Sequence, residues 1–161
     1  MKKIAFIAIA ILAISIAEAQ TTDSFCIVMN KIMDLGKKNK IGELKGDKVD
    51  REMLFADVHY YKSTLEFPGF TDPEIRQLSA NSKFSFGAHI LYDNDSDMMS
   101  TYKATQKQIQ NCLTASHQKF ETTSNTDADN IWWHCKEVRI NLHYYVSGGI
   151  YVVDLSFDPN Y

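Results

Sequence analysis

The chain has 161 residues, 45% of them hydrophobic, a length that suits one domain with a hydrophobic core of its own. Its 17 basic and 20 acidic side chains give a formal net charge of −3, and only Lys37, Lys38 and Lys40 form a dense basic patch. This distribution argues against nucleic acid as a partner, because nucleic-acid binding depends on Lys and Arg clustered against phosphate.

The first residues have the order of a secretory signal peptide. Residues 1–3 (Met-Lys-Lys) supply positive charge, residues 4–17 form an apolar run, and small residues flank Glu18 in the Ala-Glu-Ala sequence that ends at Ala19. The apolar run is shorter than the roughly 20 residues that a membrane-spanning helix needs. The sequence therefore predicts a Sec-type signal cleaved after Ala19, with export to the bacterial periplasm or the extracellular space and no transmembrane segment afterwards.

The first half of the chain predicts a helix followed by three strands. Apolar residues recur at helical spacing between Phe25 and Leu35, and Gly36 ends that pattern. Residues 41–45 and 53–67 are predicted strands, and residues 84–92 alternate clearly enough to predict a third. Between the last two, an Asp-Pro-Glu sequence has the order of a helix start and predicts a short helix over residues 73–80.

The second half predicts a long helix and a hairpin. Apolar residues between Met98 and Leu113 fall on one helical stripe. Residues 122–130 are polar and predict a flexible loop. Apolar residues then alternate over residues 138–146 and 151–157, on either side of a Gly-Gly pair that is typical of a two-residue hairpin turn.

These elements predict an α+β fold in a single domain over residues 20–161. Their order is α-β-β-β-α-β-β, with the short helix at residues 73–80 in addition. The simplest arrangement is a sandwich: one antiparallel sheet of about five strands with both long helices packed on one face.

Three cysteines, Cys26, Cys112 and Cys135, follow the predicted signal peptide. In an oxidising compartment an odd number allows one disulfide and one free thiol, and three pairings are open. Cys112 and Cys135 each lie near the end of a predicted element, which favours a structural bridge between them and a buried, unpaired Cys26.

No motif in the sequence predicts a catalytic residue, a cofactor or a metal site. The five histidines lack the spacing of zinc ligands, and neither a Gly-rich phosphate loop nor a serine-nucleophile motif is present. Asp93, Asp95 and Asp97 match the first ligands of a calcium-binding loop, but Met98 occupies the position where that loop needs Gly.

Paired aromatic residues suggest an interaction face. If Tyr144 faces the core, then Arg139, His143 and Tyr145 line the opposite face of the same strand, and Trp133 lies further along it if the register continues. Aromatic residues and Arg are enriched in recognition surfaces. The alternative is that these sheet residues are covered by loops or by the chain's own termini.

The sequence therefore favours an exported, non-enzymatic binding module whose partner is another protein or a small ligand. Two alternatives remain open. One is a secreted hydrolase whose site is assembled from histidines and acidic residues distant in sequence, and the other is a structural protein of the cell envelope.

Overall fold

The computed structural model describes residues 24–49, 58–78, 83–125 and 129–159. The predicted signal peptide at residues 1–19 lies outside these ranges. Two α-helices are present in the described part, α1 at residues 24–37 and α2 at Asp95–Ala115, with a short 3₁₀ helix at Ile41–Leu44. The strands are β1 (Lys45–Val49), β2 (Val58–Ser63), β3 (Thr71–Leu78), β4 (Lys83–Tyr92), β5 (Phe120–Ser124), β6 (Asn130–Cys135), β7 (Val138–Ser147) and β8 (Ile150–Pro159).

All eight strands belong to one antiparallel sheet with the order β1-β2-β3-β4-β8-β7-β6-β5. Each half of the chain is a helix followed by four strands, each strand pairing with the next. The last strands of the two halves, β4 and β8, pair at the centre of the sheet. The two halves therefore share one topology, and their equivalent strands lie at equivalent positions on either side of the β4–β8 pair.

The predicted sheet of about five strands, with the order α-β-β-β-α-β-β, is wrong: the described residues form a sheet of eight strands. The predicted helix at residues 73–80 overlaps β3, where pairing with both β2 and β4 overrides the local helix signals. Pro73 is tolerated because the pairing between β3 and β4 is irregular between Thr71 and Glu74, so its missing N–H interrupts no regular ladder. β5 was missed because its Phe-Glu-Thr-Thr-Ser sequence shows no apolar alternation.

Two predictions from strong local periodicity are confirmed. In α2 the buried residues are those of the predicted stripe, from Met98 to Leu113. In the hairpin of β7 and β8, Ser147 pairs with Ile150 and Leu142 pairs with Leu155, so their apolar side chains share one face.

The hydrophobic core lies between the two helices and one face of the sheet, the inner face. Phe86, Leu155 and Phe157 of the central strands are fully buried there. The ring of Phe25 on α1 packs edge-on against Phe67 at 4.9 Å, and Phe67 in turn contacts Phe86 and Phe157. In the part of the chain that the structure describes, neither helix combines the length and the apolar character that crossing a membrane requires.

The disulfide joins Cys26 to Cys112, with their Cα atoms 5.2 Å apart, so the predicted pairing of Cys112 with Cys135 is wrong. Cys26 lies on α1 and Cys112 on α2, and the bridge ties the two helices together on the inner face. Cys135 is buried at the end of β6 and is not part of a disulfide, and burial raises the pKa of its thiol. The contact between α1 and α2 is tertiary, so spacing along the chain does not reveal it. A disulfide is compatible with an extracellular or periplasmic location.

Candidate functional site

The sheet has a second face, the outer face, which points away from the two helices. Tyr144 packs against Tyr102 of α2 with ring centroids 4.9 Å apart, so Tyr144 points inward and its neighbours on β7 point outward. Strand register extends this assignment across the sheet. The outer face includes Glu74 and Arg76 on β3, Ser85, Gly87, His89 and Leu91 on β4, Trp132 and His134 on β6, Arg139, Asn141, His143 and Tyr145 on β7, and Ile150, Val152, Asp154, Ser156 and Asp158 on β8.

The predicted interaction residues divide between the two faces. Arg139, His143 and Tyr145 lie on the outer face, but Trp133 is fully buried in the core. Trp133 pairs with the buried Ile140, and Trp132 pairs with the outward Asn141. A two-residue turn joins β6 to β7, so odd-numbered residues of one strand pair with even-numbered residues of the other, and each pair shares a face. The outward residues of β7 are odd-numbered, and continuing that odd-numbered series into β6 selects Trp133, which is the wrong tryptophan. Once β6 is recognised as a strand, pairing residues across the turn, as in the β7–β8 hairpin, identifies Trp132 as the tryptophan of the outer face.

The centre of the outer face holds a buried ion-pair network that the sequence analysis missed. The Nε of Arg76 donates to Oε1 of Glu74 at 2.7 Å, and its Nη2 donates to Oδ1 of Asp154 at 3.0 Å. The side chains of Glu74 and Asp154 are only 5% and 7% exposed. Burial by itself lowers the pKa of Arg76, but attraction by Asp154 and Glu74 raises it above its ordinary value. One arginine thus compensates two carboxylates whose burial would otherwise be strongly unfavourable.

Gly87 makes the reach of Arg76 across the sheet sterically feasible. Arg76 is on β3 and Asp154 on β8, so the guanidinium must cross β4, which lies between them. A Cβ on Gly87 would lie 2.7 Å from Cζ of Arg76, closer than nonbonded carbon atoms approach. The absence of a side chain at this one position therefore allows the guanidinium to lie directly on the backbone of β4.

A histidine lies beside the second oxygen of Asp154. Oδ2 of Asp154 is 3.7 Å from Nδ1 of His143 and accepts no hydrogen bond from the described residues. Nδ1 of His143 is also 3.2 Å from Oδ1 of Asn141, whose Nδ2 donates to the carbonyl of Ile131 at 3.1 Å. Burial lowers the pKa of His143, and Asp154 opposes that shift only in part. A neutral imidazole that donates from Nδ1 to the amide oxygen of Asn141, with a carboxylate nearby, keeps Nε2 available to act as a general base.

A stack of aromatic and cationic groups lies on the β6 side of the face. Cζ of Arg139 lies 5.5 Å from the ring centroid of Trp132, a cation–π geometry. The Trp132 ring stacks on His134 with centroids 6.4 Å apart, and Nε2 of His134 is 2.8 Å from Oγ1 of Thr123 on β5. We call Arg139, Trp132 and His134 the arginine stack.

The opposite end of the face is apolar. Leu91, Tyr145 and Ile150 are 53%, 44% and 46% exposed. Leu91 and Tyr145 both pair with Val152, one from each side, and Ile150 lies two residues from Val152 on β8. The three exposed side chains therefore surround one position, and clustered exposed hydrophobic groups mark interaction sites more often than scattered ones do.

The described residues include no group of three or more His, Cys, Asp or Glu side chains that could hold a metal ion. The outer face offers apolar contact, aromatic surface and a guanidinium within one sheet.

Comparisons of the chain with models of known families, with curated proteins and with solved structures found no match.

Proposed function

We propose that this protein is an exported binding module that recognises another protein through the outer face of its sheet. The observation that carries the proposal is the cluster of Leu91, Tyr145 and Ile150, each about half exposed, on the same face as the arginine stack. The signal-peptide pattern at residues 1–19 and the Cys26–Cys112 bridge support export, since disulfides persist in oxidising compartments.

The composition of this face favours a protein partner over a small ligand. Tyr, Trp and Arg are the side chains that most often dominate the binding energy of protein interfaces, and they do so near well-packed, desolvated centres. Small-molecule sites are instead concave and enclose most of the ligand surface. Tyr145, Leu91 and Ile150 are side chains that protrude into solvent, which suits contact with a second macromolecule.

Site-specific photo-crosslinking tests the proposal. A photoreactive amino acid is placed at Tyr145 and, as a matched control, at Lys107, an exposed residue on α2. Cells that export the chain are irradiated, and the adducts are resolved by mass and identified by mass spectrometry. We expect one defined protein adduct from position 145 and none from position 107. Equal adducts from both positions, or none from position 145, would contradict binding through the outer face.

The contact between His143 and Asp154 supports a second candidate, a secreted hydrolase in which His143 acts as a base. A panel of ester, amide, glycoside and phosphoester substrates tests it with the wild-type chain and with His143→Gln. Turnover that disappears in the variant would favour the hydrolase. Lack of turnover, or turnover that the variant retains, rejects a catalytic role for His143.

A further inference from the structure

Arg139 is an exposed cation on the outer face that forms no ion pair with any carboxylate of the described residues. Asp158 is its neighbour across β7 and β8, and the charge of Arg139 opposes the rise that burial causes in the pKa of Asp158. The two side chains form no ion-pair contact, however: the hydroxyl of Ser156 donates to Oδ2 of Asp158 at 3.4 Å, and the guanidinium of Arg139 lies over Trp132. The five N–H donors of this guanidinium are therefore available to a group outside the described chain.

The arginine stack favours one position of this guanidinium. The guanidinium of Arg139 lies over the Trp132 ring, Trp132 stacks on His134, and His134 is hydrogen-bonded to Thr123 of the edge strand β5. A cation–π contact uses the charge of the guanidinium and none of its N–H donors. A carboxylate can accept two parallel hydrogen bonds from those donors, and ordering the arginine beforehand reduces the entropy lost on binding.

We propose that the arginine stack is the receptor for a single acidic side chain of the protein partner. This inference rests on the proposed function, because it specifies the chemistry of the partner at the same outer face. Asp or Glu of the partner would accept from Arg139, while apolar residues elsewhere on the partner contact Leu91, Tyr145 and Ile150 at the other end of the face.

The charges near the stack select one carboxylate over a polyanion. Glu121 lies directly across from His134 on β5 and is exposed, and Asp158 lies directly across from Arg139. These acids would repel a surface that carries several negative charges. One free guanidinium between two acidic residues therefore suits a single negative charge, and removal of Glu121 should strengthen its binding.

The first test measures the adduct from the photoreactive residue at position 145 in four further variants. Arg139→Gln should lower its yield about tenfold, and Arg139→Lys should lower it less, because it keeps the charge but loses the two-point geometry. Glu121→Gln should raise the yield, and Lys103→Gln, which removes an exposed charge from α2, should leave it unchanged. Equal thermal midpoints of Arg139→Gln and wild type would show that the variant is folded.

The outcomes separate this inference from the proposed function. If position 145 yields no adduct, the proposed function fails. If the adduct forms but Arg139→Gln leaves its yield unchanged, the function stands and the acidic contact is refuted.

A second test requires no identified partner. The peptide Ac-Gly-Glu-Gly-NH₂, which carries one carboxylate, is titrated into ¹⁵N-labelled protein at constant ionic strength, with Ac-Gly-Gln-Gly-NH₂ as the neutral control. We expect a saturable shift of the Trp132 indole N–H with the acidic peptide only, little change at the buried Trp133, and loss of the shift in Arg139→Gln. Equal shifts with both peptides, no shift, or a shift that survives Arg139→Gln would overturn the proposal.

Discussion

The disulfide between Cys26 and Cys112 should be a large single contribution to stability, and it can be removed cleanly. The two residues are 86 positions apart. In the chain-entropy model, closing a loop of that length lowers the entropy of the unfolded chain enough to stabilise the fold by about 4.5 kcal/mol. Replacing both residues with Ala should therefore lower the free energy of unfolding by about 4 to 5 kcal/mol, a large share of the total for a single domain.

Urea unfolding of the oxidised protein, followed by circular dichroism and extrapolated linearly to water, measures this loss. Cys135→Ala is the matched control, because it removes a buried thiol and keeps the bridge. Cys135→Ala should lower the free energy of unfolding by about 1 kcal/mol, the usual cost of a buried substitution.

A thiol reagent tests the pairing directly: it should react with one thiol in the unfolded, unreduced wild-type chain and with none in Cys135→Ala. A large loss in Cys135→Ala together with a small loss in the double variant would refute the Cys26–Cys112 pairing and the reasoning from loop length.

Three substitutions on the outer face test its buried charged groups by urea unfolding. Arg76→Met should lower the free energy of unfolding by about 3 kcal/mol, because it leaves the buried Glu74 and Asp154 without their shared cation; an unchanged midpoint would contradict the network. Gly87→Ala should lower the free energy of unfolding by about 1 to 3 kcal/mol, because its Cβ is forced against the guanidinium of Arg76. Unchanged stability in this variant would show that Arg76 does not need the space above Gly87. Burial raises the pKa of Asp158 in the folded state above its ordinary value of 3.8. Between the pKa of the unfolded chain and that of the folded state, Asp158 binds more protons in the folded state, so its contribution to stability falls as pH rises. Asp158→Asn should abolish this fall, and an identical pH profile in the variant would refute its assignment to Asp158.

Elements with strong local periodicity were predictable from the sequence. The stripe from Met98 to Leu113 specifies which side of α2 is buried, because the helical repeat alone decides which side chains share a face. Alternation on both sides of Gly148-Gly149 likewise specifies the register of β7 and β8, since a two-residue turn leaves one pairing that brings the apolar residues together.

Other elements depend on partners that are distant in the chain. The local signals at residues 73–80 favour a helix, but two neighbouring strands make this segment part of the sheet. β5 has no apolar alternation, and only its pairing with β6 makes it a strand. Propensity is a weak bias that tertiary pairing overrides in both places.

The sequence by itself determined the stripe of α2, the final hairpin and the outward direction of Arg139, His143 and Tyr145, because each follows from the repeat of one helix or strand. The tertiary structure decided the rest of the candidate site. It brings together Arg76 and Asp154, which are 78 positions apart, above a glycine in the strand between them. It also pairs Cys26 with Cys112 and orients Trp132, rather than Trp133, outward. These contacts depend on which strands and helices become neighbours, and that is settled by burial of the whole core rather than by the pattern of any one segment.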